Sequence, residues 1–287
     1  MTALRTLLDR GRGDLLIPEL HRLYGGGLSF SKVPADRPFT ITNSVATIEG
    51  LTSFSIPGHA GGGEISDGNP QDRFVMGLLR ALADAVAVGA GTLRAENRHL
   101  WTPAFICPES ADLYVRLWES LGKRHLNPIN IFVTGSGKVL AEDRSAPEVF
   151  HSPDVETILL TTEAGKRRLT REFTDIPMPH VLAFGESGTV DLEAAFRHLR
   201  RSWDIGVLLV EGGAMLNGAI FNAGLYDEIF MTVAPVLIGS SAEHPRPPFA
   251  QGFARTPDDA IRHEVVSVKS AGDYLYKRYA RLGGSDR

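Results

Sequence analysis

The stretch LLVEGGAMLNGAIFNAGLYDEI, from Leu208 to Ile229, runs from an apolar segment into Glu211, Gly212 and Gly213, then into an amphipathic run and a second acidic turn. An apolar run of strand length, ended by two glycines and followed by a helical period, is a strand–turn–helix unit. Glycines let backbone amides come close to a ligand, and the helix N-terminus that follows adds partial positive charge. The acid at the strand end has two uses: it can cap the helix, or it can accept hydrogen bonds from a polar ligand.

The same unit recurs upstream. AVAVGAG, INIFVTGSG, TILLTTEAG and HVLAFG are apolar runs that end in glycine, serine or threonine. Between them lie helical patterns such as LEAAFRHLRR, and Asp72 to Asp84, where Phe74, Leu78 and Leu82 share a face with Val75 and Leu79. Strands buried on both faces read as continuous apolar runs, so the pattern predicts an α/β fold with a mostly parallel sheet and helices on both faces. The last third, DEIFMTVAPVLIG, HEVVSVKSAG and DYLYKRYARL, has no long helices and predicts antiparallel edge strands that make the sheet mixed. PFTITNSVAT reads as the first strand of the body. Residues 1–36, which include the glycine- and proline-rich YGGGLSFSKVPADRP, are expected to form an N-terminal arm, with a single domain over 37–287.

Composition narrows the function. Hydrophobic residues make up 43% and charged residues 22%, the mix of a folded globular chain. A formal net charge of -4 offers no general attraction for nucleic acid or anionic lipid, so neither is expected as a partner. The single cysteine, Cys107, forms no intramolecular disulfide and fits a reducing compartment. No apolar run approaches membrane-spanning length, and the N-terminus lacks the apolar core of a signal peptide. A cytoplasmic protein is expected.

In open α/β sheets, ligands settle outside the carboxyl ends of the strands. Glycine turns stand there at Gly89 to Thr92, at Thr134 to Gly137 and at Glu211 to Gly213. Any one of them could be a simple turn; three in one topological position point to a nucleotide cradle. GAGTLR lacks the third glycine of G-x-G-x-x-G and no Walker lysine follows any turn, so neither standard phosphate motif is present. The histidines have no metal-ligand spacing, and no serine sits in a nucleophile elbow.

LLRALADAVAVGAGTLRAE, followed much later by LLVEGGAMLNGAIFNAGLYDEIFMTVAPVLIG, closely resembles the reductase domain of the bifunctional riboflavin-biosynthesis deaminase/reductase, a family with the dihydrofolate-reductase-like fold. The resemblance runs from Pro38 to Leu282. DRFVMGLLR and SAGDYLYKRYARL look most like the stand-alone pyrimidine-reductase-like branch. A zinc deaminase needs H-x-E and P-C-x-x-C, which a chain with one cysteine does not hold.

The resemblance implies NADPH-dependent reduction of the ribosylamino group of a phosphorylated aminopyrimidine, a small heterocyclic substrate, by a homodimer. It implies that Asn43 borders the nicotinamide and that Gly89, Gly91 and Thr92 approach the cofactor. Thr134 and Ser136 would face the adenosine end, and Gly212, Gly213, Met215 and Leu216 would wrap the pyrophosphate and ribose. Glu211 would contact polar groups of substrate or cofactor. Lys138, Arg144, Lys166 and Arg167 are candidates for a ribose 2′-phosphate. The riboflavin enzymes usually carry D-G-K after the first strand, where this chain has Glu49, Gly50 and Leu51. Glu49 is a candidate to replace the lysine. Ser66, Asp72, Arg80 and Arg94 are candidates for the substrate's phosphate or pyrimidine, although Asp72 could equally cap its helix and Arg80 could be a solvated charge. The missing lysine keeps open a dihydrofolate or dihydropterin reductase, and beside it a nucleotide-binding homologue without turnover.

Overall fold

The computed structural model describes residues 1–56, 58–123, 125–140, 145–173 and 178–282. In chain order the elements are β1 (Arg5–Asp9), α1 (Pro18–Tyr24), β2 (Phe39–Ala46), α2 (Gly62–Ile65), α3 (Pro70–Leu82), β3 (Ala85–Gly89), α4 (Ala90–Ala95), α5 (Pro103–Ile106), α6 (Ala111–Leu121) and β4 (Ile129–Thr134). They continue with β5 (Thr157–Thr161), α7 (Glu163–Glu172), β6 (His180–Ala183), α8 (Leu192–Ser202), β7 (Val207–Val210), α9 (Ala214–Ala223), β8 (Glu228–Val233), β9 (His263–Ala271) and β10 (Tyr274–Arg281).

All ten strands form one sheet in the order β1-β9-β10-β8-β2-β7-β3-β4-β5-β6. From β8 to β6 the neighbours are parallel, and β10, β9 and β1 are antiparallel. The α/β, mostly parallel, mixed sheet expected from the apolar runs is what the chain forms. From β2 the chain crosses to β3 and moves outward through β4, β5 and β6. It then returns to place β7 between β2 and β3. The Glu211–Gly213 turn therefore stands at the centre of the parallel edge.

Helices cover both faces. Phe74, Leu78 and Leu82 of α3 join Leu117 and Trp118 of α6 and Leu169 of α7 in one apolar cluster. On the opposite face Phe196 and Leu199 of α8 pack with Ile220 and Phe221 of α9. The start of α3 is set locally: Asn69 Oδ1 accepts from the Gln71 and Asp72 amides, both at 3.0 Å, and Pro70 follows at the first helical position. Asn69, not Asp72, is the cap.

The first 36 residues differ from the expected arm. β1 pairs antiparallel with β9, and Leu4, Leu20 and Leu28 are buried in the cluster beneath α3. Polar contacts fasten the segment: Lys269 Nζ, on β9, donates to Asp9 Oδ2 at 3.1 Å and to the Gly25 carbonyl at 2.9 Å. The glycine- and proline-rich run connects two parts of one sheet. Removing residues 1–9 is expected to leave the long edge of β9 open and Lys269 short of its carboxylate. The loss should be about 2–3 kcal/mol, below the usual value for a broken buried pair because Asp9 is partly exposed. Chemical denaturation measures it, and light scattering should show concentration-dependent association through the uncovered edge.

β8 also departs from its expected place. DEIFMTV is flanked by β10 and β2, so it is interior, and its apolar side chains have no free strand edge for pairing with a second copy. Among the described residues no helix is long and apolar enough to cross a membrane.

Candidate active site

A cleft of about 1530 Å³ opens along the carboxyl ends of β2, β3, β4 and β7. It is larger than a typical single-ligand pocket and offers room for a dinucleotide and a second small molecule. Asn43, Ser66, Asp72, Arg80, Gly89, Gly91, Thr92, Arg94, Thr134, Ser136, Glu211, Gly212, Gly213, Met215 and Leu216 all line it. Three glycine turns distant in sequence thus share one crevice.

The centre of the crevice is built from two turns in contact. The Gly89 amide donates to the Gly212 carbonyl at 2.8 Å. A Cβ on Gly213 would lie 3.4 Å from Thr92 Oγ1. Gly212 has φ +89, a region that favours glycine. Because its donor is spent on Gly212, Gly89 shapes the turn but has no amide to offer a ligand. At α9 the N-cap is Gly213 and no side chain caps the helix, so the first-turn amides are left for another acceptor. Such an end is a ready anion site.

The β4 edge is held equally tightly. The Thr162 hydroxyl donates to the Gly135 carbonyl at 2.8 Å, and the Thr161 hydroxyl to the Thr134 carbonyl at 2.6 Å. Arg94 Nη1 donates to the Lys138 carbonyl at 2.6 Å and ties α4 to this turn. Of the cations expected near a 2′-phosphate, Lys138 lines the cleft; Lys166 and Arg167 sit on the exposed side of α7 and do not. Arg144 lies outside the described residues.

At the other end a buried charge cluster forms the floor. Arg80 Nε donates to Glu211 Oε1 at 3.0 Å and Nη2 to Oε2 at 2.7 Å, a two-pronged pair whose side chains are 1% and 7% exposed. Glu211 does not cap α9: its carboxylate is anchored by Arg80, and it lines the cleft. Arg80, in turn, is not a solvated charge. Its Nη1 donates to the Thr102 carbonyl at 3.1 Å, and its Nη2 lies 3.1 Å from His99 Nε2. Burial and the Arg80 charge hold the His99 pKa down to about 2, so the ring is neutral and its Nε2 accepts. His99 Nδ1 faces Glu96 Oε2 at 3.4 Å. Burial pushes the Glu96 carboxyl up; Arg80 opposes the shift and Glu211 adds to it.

Glu49 is a correction. Its carboxylate accepts from the Ile238 and Gly239 amides, both at 2.8 Å, which holds its pKa down to about 2. It does not line the cleft, and Leu51 bridges to Pro248 instead of facing it. The turn that carries a lysine in the riboflavin enzymes is folded against the 235–248 segment here.

Reasoning from sequence missed Glu96, His99, Arg73 and Trp101, which also line the cleft. The run RAENRHLW carried a signal: two acid–base alternations directly after a glycine turn. Among the described residues no three His, Cys, Asp or Glu side chains gather as a metal site.

The family model described as the RibD C-terminal domain matches residues 43–272. The 2,5-diamino-6-ribosylamino-4(3H)-pyrimidinone 5′-phosphate reductase of Archaeoglobus fulgidus is 26% identical over 203 residues, covering 71% of this chain and 83% of the relative. The riboflavin biosynthesis protein RibD of Escherichia coli is 27% identical over 177 residues, 61% of this chain and 43% of the relative. Among solved structures, a pyrimidine reductase-like protein from Corynebacterium diphtheriae matches with a TM-score of 0.65 and 21% identity, covering 93% of this chain and all of that one (100%). Acinetobacter baumannii RibD matches with a TM-score of 0.61 and 16% identity over 87% of this chain. The chain spans 59% of that RibD's length. At these identities the structural likeness is one of fold.

Proposed function

The chain belongs to the RibD C-terminal domain family, and on that premise we propose that it is an NADPH-dependent reductase of a phosphorylated ribosylaminopyrimidine on the route to riboflavin. The observation that carries the reading is the single cleft: an uncapped helix end and glycine turns at its middle, and a buried Arg80–Glu211 pair at one end. Relatives named as pyrimidinone phosphate reductases support the same reaction class.

The residues fit a dinucleotide. The first-turn amides of α9, at Ala214 to Leu216, would take the pyrophosphate, with Gly212 and Gly213 keeping side chains out of its way. Thr134, Ser136 and Lys138 would meet the adenosine end, and Asn43 with Thr92 the nicotinamide side. The bound cofactor supplies the hydride. The protein's part is to align two ligands and exclude water, and orientation of this kind accounts for much of the acceleration in such reactions. Arg80 and Glu211 neutralise each other, so the floor is polar and fixed without carrying the charge of either. Met215, 62% exposed on the rim, offers an apolar contact that closes over the ligand.

Reduction of a pterin-like heterocycle at the same site is the second reading. The withdrawn Glu49–Leu51 turn favours it, because the cation usual in riboflavin enzymes is gone from the cleft. We place the protein in the cytoplasm, in keeping with its one cysteine, which is buried, and carry a homodimer as an expectation.

NADPH fluorescence titration and an NADPH-oxidation assay with 5-amino-6-(5-phosphoribosylamino)uracil, its diaminopyrimidinone counterpart and dihydrofolate test this. Saturable binding and oxidation with one of the first two is the expected result. Oxidation with dihydrofolate alone selects the second reading, and binding without oxidation selects a nucleotide-binding homologue. Absence of NADPH binding removes the proposal.

A further inference from the structure

Asp72 is 4% exposed and lines the cleft from the first turn of α3. The hydroxyls of Ser66 and Thr232 lie beside its carboxyl and favour its charged form, and the charged neighbour that acts on it is Glu211, which opposes that form. Among the described residues no cation pairs with it: Arg80, two turns along the same helix, gives its guanidinium to Glu211, Thr102 and His99. Burial pushes the Asp72 carboxyl up.

A helix-capping role does not account for this acid, because Asn69 already takes the amides of Gln71 and Asp72. Burying a carboxyl without a counter-charge costs stability, and perturbed acids in clefts mark functional positions. With Arg80 committed to Glu211 and no cation paired with Asp72 among the described residues, this wall offers a substrate phosphate no counter-charge. What such an acceptor selects is a donor: the N–H groups along the edge of an amino-substituted heterocycle. The Glu49–Leu51 turn, folded away from the cleft, brings no lysine to compensate the wall.

We propose that Asp72, buried in the cleft wall, is the substrate-reading residue of this cleft, accepting from the N–H edge of an aminopyrimidine ring. The proposal rests on the cleft being the substrate site of a heterocycle reductase, and its test is separable from that reading. The probe is 5,6-diaminouracil, titrated by calorimetry or ligand-observed NMR into the full chain, wild type and Asp72→Asn, with NADPH titrated into the same samples.

The expected result is that Asp72→Asn weakens the fragment at least tenfold, leaves NADPH affinity within twofold and does not lower the melting temperature. With the phosphoribosylamino substrate, KM should rise at least tenfold with a smaller change in kcat. Equal binding of the fragment by both proteins, or no binding by wild type, overturns the proposal. Wild type that binds the fragment but not NADPH overturns the reductase reading and leaves Asp72 standing. If Asp72→Asn does not fold, Asp72→Ser, which keeps a hydrogen-bonding group for Thr232, replaces it under the same criteria.

Discussion

Arg80→Ala is expected to destabilise the protein by about 3–5 kcal/mol, because it leaves Glu211 as a buried carboxylate with no cation. Arg80 also holds the Thr102 carbonyl and faces His99, so its removal loosens the segment between α4 and α5 as well. Urea denaturation measures the effect. A double change, Arg80→Met with Glu211→Leu, separates stability from function. Replacing both partners of a buried pair by apolar groups of similar volume is often neutral or favourable to folding. The double variant should therefore recover most of the loss, short of the contacts Arg80 makes to Thr102 and His99, and still lose substrate turnover, because the polar floor is gone. A loss below about 1 kcal/mol for Arg80→Ala would place the pair among weak surface bridges and sink this account.

Gly135→Ala is the second large effect. A Cβ there would lie 1.8 Å from the Gly188 carbonyl oxygen and 2.9 Å from its carbon, so the backbone of the 188–189 turn has to move. Overpacking of this kind costs about 1–3 kcal/mol. Thr134, Ser136, Gly188 and Thr189 line the same end of the cleft, so the displaced turn also reshapes the proposed adenosine end. NADPH affinity should fall at least about tenfold, equivalent to 1.4 kcal/mol, and a lowered melting temperature should accompany it. Unchanged NADPH affinity in a destabilised variant would show that the β4 turn is structural and that the cofactor lies elsewhere.

The parallel part of the fold was readable because its physics is local. Strands covered on both faces read as apolar runs, and AVAVG, VLLV and the centre of TILLT do. Turns that press backbone against backbone call for glycine, and Gly135 and Gly137 answer it: a Cβ there would lie 1.8 Å from the Gly188 oxygen and 2.4 Å from the Gly165 oxygen. What escaped depends on distance in sequence. Arg80 and Glu211 are separated by 131 residues, and nothing in either segment states that a strand made late will slide in beside one made early. Each residue therefore read as a free polar group facing a ligand. β1 was missed for a different reason. RTLLD is an outer strand with four of its five residues exposed, so it lacks both the alternation and the continuous apolar run that announce a strand. Glu49 pointed the wrong way because its role was inferred from the lysine that related sequences carry at the place of Leu51, whereas its own chemistry, an acid beside two free amides, fixed it to the 238–239 backbone.

The central slot of the sheet dictates when this molecule becomes whole during synthesis. Among the described residues β2 hydrogen-bonds to β7 and β8 and to no other strand. Phe39–Ala46 must therefore leave the ribosome and wait, unpaired, for a stretch of chain some one hundred and sixty residues later. Meanwhile β3 to β6 can zip together as successive right-hand neighbours. A nascent chain halted before residue 207 would hold four of the ten strands as a sheet and leave β2 unpaired, the kind of species that chaperones retain. Ligand affinity should then arrive only once β7 and α9 have both emerged.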